Sequence, residues 1–102
     1  MRLARFTAEA RAELLAQTAY YETIRKGLGA RFRVAVEAAA ARAAMFPMHG
    51  KPAPRNSRRR RVSDFKFFLV YTETDYGVLI HALAADHQMP EYWLDRLLAR
   101  KK

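Results

Sequence analysis

Cysteine is absent from the 102-residue sequence. This absence excludes a disulfide framework, a thiol nucleophile and a thiolate metal site. The three histidines, His49, His81 and His87, do not stand at metal-ligand spacing from one another or from a helical carboxylate. The sequence also lacks a nucleophile elbow and a phosphate-binding glycine loop. We therefore expect neither a metal site nor a cofactor.

Long hydrophobic runs are missing as well. No apolar stretch approaches the roughly 18 residues that a membrane-spanning helix needs. The first residues carry Glu9 and Glu13 where a secretory signal peptide has its apolar core. The sequence thus predicts a cytoplasmic protein without a membrane partner.

Acidic residues are scarce: 10 aspartates and glutamates stand against 19 lysines and arginines, for a formal net charge of +9. Such a field attracts polyanions or acidic protein partners but does not tell which of the two. Hydrophobic residues nevertheless make up 51% of the chain, which argues against intrinsic disorder. At this length we expect one domain, residues 1–102, with a single modest core.

The first half of the chain has the pattern of two helices. After a short predicted strand at residues 2–6, Thr7 is placed to cap a helix, because its hydroxyl can accept a bond from an exposed backbone N–H. Apolar residues at helical spacing then continue to Gly27. A second, alanine-rich helix runs to Pro47. The connection between the helices is so short that they should fold back as an antiparallel hairpin.

The second half has the pattern of a sheet. Residues 48–57 are predicted as loop, and three strands follow at 58–62, 65–73 and 78–85. The middle strand carries apolar residues on both faces, which indicates a central strand covered on both sides. Pro90 suits the first turn of a short C-terminal helix or arm. We therefore predict an α+β fold, in which an antiparallel helical hairpin packs on a small, mainly antiparallel four-stranded sheet in the order β-α-α-β-β-β.

Four arginines, Arg58 to Arg61, form an unbroken run at the start of the first of these three strands. Side chains alternate along a strand, so Arg58 and Arg60 share one face and Arg59 and Arg61 share the other. Two interpretations are open at this point. The run is a solvated edge whose charges discourage aggregation, or it is a basic ridge that binds phosphate or acidic side chains.

Four segments follow one another along almost the whole chain: FTAEARAELLAQTAYYETIRKGLGARF, MFPMHG, RRRRVSDFKFFLVYTETDYGVLIHALA and PEYWLDR. Together they resemble the RelE/ParE superfamily, the toxins of bacterial type II toxin–antitoxin modules. The resemblance implies a helical hairpin on a small antiparallel sheet, growth inhibition, and neutralisation by a cognate antitoxin whose C-terminal segment wraps the toxin. It also implies oligomers that form only together with the antitoxin.

The superfamily has two branches with different mechanisms. RelE-like members cut messenger RNA on the ribosome, with basic residues on the strand that matches FKFFLVY and after the last strand. ParE-like members lack that set and poison DNA gyrase. In this sequence Phe67 and Phe68 hold the matching strand positions and Asp86 follows the last strand. The resemblance therefore favours the ParE-like branch, which acts by protein binding rather than as an enzyme.

Candidate site residues follow for each alternative. Those for binding the antitoxin or the target are the arginine run and three tail residues: Arg58, Arg59, Arg60, Arg61, Tyr92, Trp93 and Arg96. If the protein is instead a RelE-like endoribonuclease, the candidate catalytic groups are His87, Tyr92 and Arg61. Trp93 has a second interpretation, as a core residue that anchors the tail. A further alternative is a basic nucleic-acid-binding module that shares only the fold.

Overall fold

The computed structural model describes residues 2–86 and 91–99. In chain order its elements are β1 (Leu3–Phe6), α1 (Ala8–Ile24), α2 (Leu28–Met45), a 3-10 turn (Pro47–His49), β2 (Lys51–Ala53), β3 (Ser57–Arg61), β4 (Phe67–Thr74), β5 (Gly77–Ala85) and α3 (Glu91–Ala99). The strands form one sheet in the order β1-β5-β4-β3-β2, in which β1 runs parallel to β5 and the other neighbours are antiparallel. The predicted α+β fold is confirmed. Within the described ranges, none of the helices is both long and apolar enough to span a bilayer.

The sheet has five strands rather than the predicted four. The additional strand, β2, lies inside the segment predicted as loop, and its Lys51 stands opposite Arg59 of β3. Three residues are too few to show the alternation of a strand, and Pro52 has no N–H to donate, so β2 carries no strand signal in the sequence. The edge of the sheet, where β2 lies, is the place at which a strand tolerates proline.

The helices α1 and α2 pack as the predicted hairpin, and side chains cap both of their N-termini. The Thr7 hydroxyl accepts a bond from the Ala10 N–H at 3.1 Å, as predicted. The Glu22 carboxylate accepts from the backbone N–H groups of Gly27 at 3.0 Å and Gly29 at 3.1 Å, and so places a negative charge at the start of α2. Gly27 has a φ of +88°, a left-handed conformation that favours glycine. The turn between the helices is therefore fixed by one carboxylate and one glycine.

The central strand β4 is buried on both faces, as its apolar pattern predicts. The hairpin covers one face, here called the hairpin face, where Leu69 and Tyr71 pack in one cluster with Phe32 of α2. Phe68 and Val70 point to the opposite face, here called the tail face. The tail-face cluster is completed from β5 and α3 by Ala82, Ala84, Trp93 and Leu97. Both covers are therefore required to bury the apolar surface of β4.

The pairing of β4 with β5 contains one irregularity. Tyr71 pairs with Ile80, whereas its neighbour Val70 pairs with Ala82, so His81 is the extra residue of a β-bulge. The pairing of β1 with β5 ends at the same place, opposite Ile80. From His81 onward, one backbone edge of β5 therefore lies beyond the reach of β1.

Replacing Gly29 with alanine tests the close approach of the two helices. A Cβ at this position would lie 2.6 Å from the backbone oxygen of Thr18 in α1. Helix propensity alone predicts that alanine stabilises a helix by about 1 kcal/mol over glycine. Because a backbone oxygen cannot move aside cheaply, we expect Gly29→Ala to lower the free energy of unfolding by about 1–3 kcal/mol in a urea titration. A stabilised variant would show that the helices are not in contact here.

Candidate partner-binding surface

The four arginines of β3 divide between the two faces of the sheet, as strand alternation predicts. Arg58 and Arg60 lie on the hairpin face close to Tyr71. The Arg58 Nη1 donates to the backbone oxygen of Gly50 at 2.8 Å. Arg59 and Arg61 lie on the tail face, over the side of the sheet that α3 covers. The run is therefore two pairs of cations with different surroundings.

The tail-face pair lines a shallow pocket together with Lys51, Phe68 and Asp86, here called the tail-face pocket. Its volume is about 280 Å³. The guanidinium carbon of Arg59 lies 5.0 Å from the centre of the Phe68 ring, a cation–π contact that holds the guanidinium in place. The Arg61 Nη2 pairs with the Asp86 Oδ2 at 2.8 Å. Of the described residues that line this pocket, three are cations and one is a carboxylate.

The hairpin-face arginines lie beside the turn from Pro47 to Gly50, which contacts the Tyr71 side chain. The Tyr71 hydroxyl donates to the Pro47 oxygen at 2.7 Å, and a Cβ at Gly50 would overlap that hydroxyl. Burial raises the pKa of Tyr71 above its ordinary value, although the charges of Arg60 and Arg58 partly lower it. The hydroxyl is therefore protonated at neutral pH and keeps its role as donor. This contact explains the glycine of the MFPMHG segment.

A larger, apolar groove lies at the other edge of the sheet, between β1 and α2. We call it the β1–α2 groove, and its volume is about 780 Å³. It is lined by Arg2, Leu3, Ala4, Phe6, Arg11, Glu37, Ala40, Ala41, Ala44 and Met45. Leu3 and Met45 are 43% and 64% exposed. The sequence did not predict this groove, because its existence depends on how α2 crosses β1. The many alanines of α2 were the one feature of the sequence that indicated a close approach by another element.

Two of the three predicted tail residues are engaged inside the protein. Trp93 is 2% exposed and packs in the tail-face cluster, which agrees with its interpretation as an anchor. Arg96 forms an ion pair with Glu13. His87 and the side chain of Tyr92 lie outside the part of the chain that the structure describes. The backbone of Tyr92 belongs to α3.

Glu13 of α1 makes a structural contact with Arg96 that the sequence did not predict. The Arg96 Nη2 donates to Glu13 Oε2 at 2.9 Å, and the Arg96 Nη1 donates to Oε1 at 3.0 Å. The same two side chains also form hydrogen bonds with the backbone of β5, at the part of its edge that β1 does not reach. Arg96 donates to the backbone oxygen of His81, and the Leu83 N–H donates to the Glu13 carboxylate, each at 3.0 Å. The ion pair thus takes the place of a neighbouring strand. It ties α3 to both α1 and the sheet.

The two strand positions at which the resemblance implies catalytic cations in a RelE-like toxin hold apolar side chains here. Phe67 packs against the hairpin-face cluster. Phe68 is 6% exposed and lies beneath Arg59. Neither of the described histidines, His49 and His81, lines the tail-face pocket. Within the described residues, this pocket therefore has cations but no histidine to act as a general acid or base.

The Glu13–Arg96 pair should be coupled far more strongly than a surface ion pair. Both side chains are only 20–23% exposed, and they share two short bonds. In a double-mutant cycle of Glu13→Gln and Arg96→Met, we expect a coupling energy of about 1–2 kcal/mol by urea unfolding. The exposed Arg33–Glu37 pair is the matched control and should give about 0.3–0.5 kcal/mol. Equal coupling in the two pairs would contradict the anchoring role.

Comparison with known proteins gives a match to the fold. No protein-family model matches the sequence, and no curated protein matches it. Among solved structures, a chain of one described as "Chromosomal ParDE TA system from P. aeruginosa" superposes with a TM-score of 0.73 at 13% sequence identity. The match covers 83% of this chain and 96% of that chain. This chain therefore has the fold of a protein from a ParDE toxin–antitoxin system, as the resemblance of its sequence segments implies.

Proposed function

We propose that the protein is the toxin of a type II toxin–antitoxin pair, that it poisons DNA gyrase by binding to it, and that a cognate antitoxin neutralises it in the cytoplasm. The observation that carries the proposal is the structural match, which extends over 96% of the chain from a ParDE system. Fold alone does not fix function. The residues of the site must therefore decide between the two mechanisms known for this fold.

The chemistry of the sheet supports protein binding over RNA cleavage. An RNA-cleaving site needs cations where charge develops on the phosphate, and an acid or base within hydrogen-bond reach. The central strand has Phe67 and Phe68 at the positions where the resemblance implies basic catalytic residues in a RelE-like toxin. The cation Arg61 is paired with Asp86. With the Asp86 carboxylate engaged in that pair, the candidate acids or bases of a nuclease are His87 and Tyr92.

The β1–α2 groove is the surface best suited to the antitoxin. It is apolar along its floor, and β1 is an edge strand whose outer side is not paired with another described strand. Arg2 and Arg11 outnumber Glu37 among its charged lining residues, so the fitting occupant is an amphipathic antitoxin segment with apolar and acidic side chains. Burial of the apolar residues supplies affinity, and the arginines speed the encounter.

Gyrase and ribosome assays separate the two mechanisms. We expect the purified protein to inhibit DNA supercoiling by gyrase, and added antitoxin to restore supercoiling. We expect no cleavage of ribosome-bound messenger RNA, because losing one well-placed charge stabiliser already slows such reactions about 100–1000-fold. Primer-extension mapping of the messenger RNA measures this cleavage.

Two variants make this comparison decisive. Tyr92→Phe and His87→Ala should leave growth inhibition unchanged, since neither hydroxyl nor imidazole has chemistry to perform in a protein-binding toxin. Cuts in the message that either substitution abolishes would overturn the gyrase proposal in favour of a RelE-like endoribonuclease. If gyrase and message are both unaffected, the proposed target is wrong.

A charged substitution in the β1–α2 groove should weaken antitoxin binding. Ala41→Asp places a carboxylate among the apolar lining residues, and we expect the Kd for the antitoxin to rise by about 10–100-fold, measured by calorimetry. Ala19→Asp makes the same change on the exposed surface of α1 and should leave the Kd nearly unchanged.

Salt dependence tests the mixed character of this contact. Affinity for the antitoxin should fall as salt rises from about 0.05 to 0.5 M and should not vanish, because screening removes the charge contribution and not the apolar burial. Complete loss of binding at moderate salt would show that the contact is purely electrostatic and that the groove is not involved.

A further inference from the structure

The end of α2 and the turn that follows it expose three large apolar side chains. Met45, Phe46 and Met48 are 64%, 43% and 63% exposed. α2 ends at Met45, and Pro47, which cannot continue a helix, begins the 3-10 turn. Of the three side chains, only that of Met45 lines the β1–α2 groove. The two methionines are thus equally open to solvent and differ in their relation to the groove.

Methionine is the most readily oxidised side chain of this protein. The chain has no cysteine, so no thiolate competes for an oxidant. Hydrogen peroxide transfers one oxygen atom to the thioether sulfur: the O–O bond breaks, the sulfur is oxidised to the sulfoxide, and the peroxide is reduced to water. Methionine sulfoxide reductases reverse the change. Because exposure governs the rate of such oxidation, Met45 and Met48 should react at similar rates.

Oxidation of Met45 would place a polar group in a mainly apolar part of the groove. The adjoining lining residues of α2, Ala41 and Ala44, have no side-chain donor for a sulfoxide oxygen. Arg2 lines the same groove, but it already donates to the backbone oxygen of Ala44 at 3.2 Å and to Glu73 at 3.4 Å. A polar group that becomes buried without a hydrogen-bond partner weakens binding. A ligand that packs on the thioether should therefore bind the sulfoxide less tightly.

We propose that Met45 is an oxidation site that controls the capture of this protein by its antitoxin. The inference rests on the proposed function, in which an amphipathic antitoxin segment occupies the β1–α2 groove. The thioether of Met45 packs against an apolar side chain of that segment, a contact to which methionine adapts well. The sulfoxide weakens the contact. An oxidant therefore lowers the share of the toxin that the antitoxin neutralises, and reduction of the sulfoxide restores it.

The free protein is the form that is oxidised. A bound antitoxin segment would cover the sulfur of Met45 and exclude the oxidant, just as it excludes water. Met48 lies outside the groove lining and has no such cover. Antitoxin binding and oxidation of Met45 are therefore mutually exclusive, whereas oxidation of Met48 is independent of the antitoxin.

Peroxide footprinting tests whether the antitoxin covers Met45. The free protein and its complex with the antitoxin, expressed from the reading frame that adjoins this one, are treated with hydrogen peroxide, and peptide mass spectrometry follows each sulfur. In the free protein we expect the rates at Met45 and Met48 to agree within about twofold. In the complex, Met45 should react at least about fivefold more slowly and Met48 at an unchanged rate. Equal protection of the two sulfurs, or no protection of Met45, would overturn the assignment.

Calorimetry measures the effect of the sulfoxide on affinity. The toxin alone is oxidised, catalase removes the peroxide, and each variant is compared with its own untreated sample. We expect the Kd of the wild type for the antitoxin to rise about tenfold on oxidation, and that of Met48→Leu to rise by the same factor. The Kd of Met45→Leu should not change on oxidation. Methionine sulfoxide reductases should restore the affinity of the oxidised wild type.

A melting curve shows that the oxidised protein is still folded. Because both sulfurs are exposed, oxidation should shift the Tm of the free wild type by less than about 2 °C. An equal loss of affinity in the wild type and in Met45→Leu would overturn the proposal, since another methionine would then carry the effect. An unchanged Kd of the fully oxidised wild type would also overturn it. These results differ from failure of the proposed function, in which the untreated wild type does not bind the antitoxin at all.

Discussion

Two-sided burial of β4 is the constraint on which the rest of this structure depends. A strand with apolar side chains on both faces is stable only when each face is covered. The hairpin covers Leu69 and Tyr71, and α3 covers Phe68 and Val70. Removing either cover would expose large apolar side chains at the centre of the sheet. The short C-terminal helix is therefore part of the core, and its Trp93 and Arg96 serve first to hold it there.

The ion pair of Glu13 and Arg96 solves a problem that this arrangement creates. The bulge at His81 and the end of β1 leave backbone groups of β5 without a strand partner. Unpaired backbone groups at a buried edge cost free energy, so they need other partners. One carboxylate and one guanidinium supply these partners and also join three elements of the fold. The Glu13–Arg96 ion pair thus supplies hydrogen-bond partners to the edge of β5 and also holds α3 in place.

The same sheet presents two unlike surfaces at its opposite edges. The β1–α2 groove is lined mainly by apolar residues, whereas the β2–β3 edge carries the arginine run. No lining residue of the groove also lines the tail-face pocket. The proposed function requires one contact for the antitoxin and another for the target, and the two edges of the sheet are far enough apart to keep such contacts separate.

The sequence by itself determined the elements whose residues carry periodic information. The Thr7 cap, the helical hairpin, the two-faced strand β4 and the separation of Arg58 and Arg60 from Arg59 and Arg61 all follow from spacing between near neighbours. Tertiary structure alone decided the strand β2, the β1–α2 groove and the pairing of Glu13 with Arg96. These features depend on residues that are far apart in the chain, such as positions 13 and 96, and local spacing contains no information about which distant residues meet. The sequence therefore predicted on which face of the sheet each arginine of β3 lies. It did not predict which residue each arginine contacts, because those contacts depend on how the hairpin and α3 pack on β4.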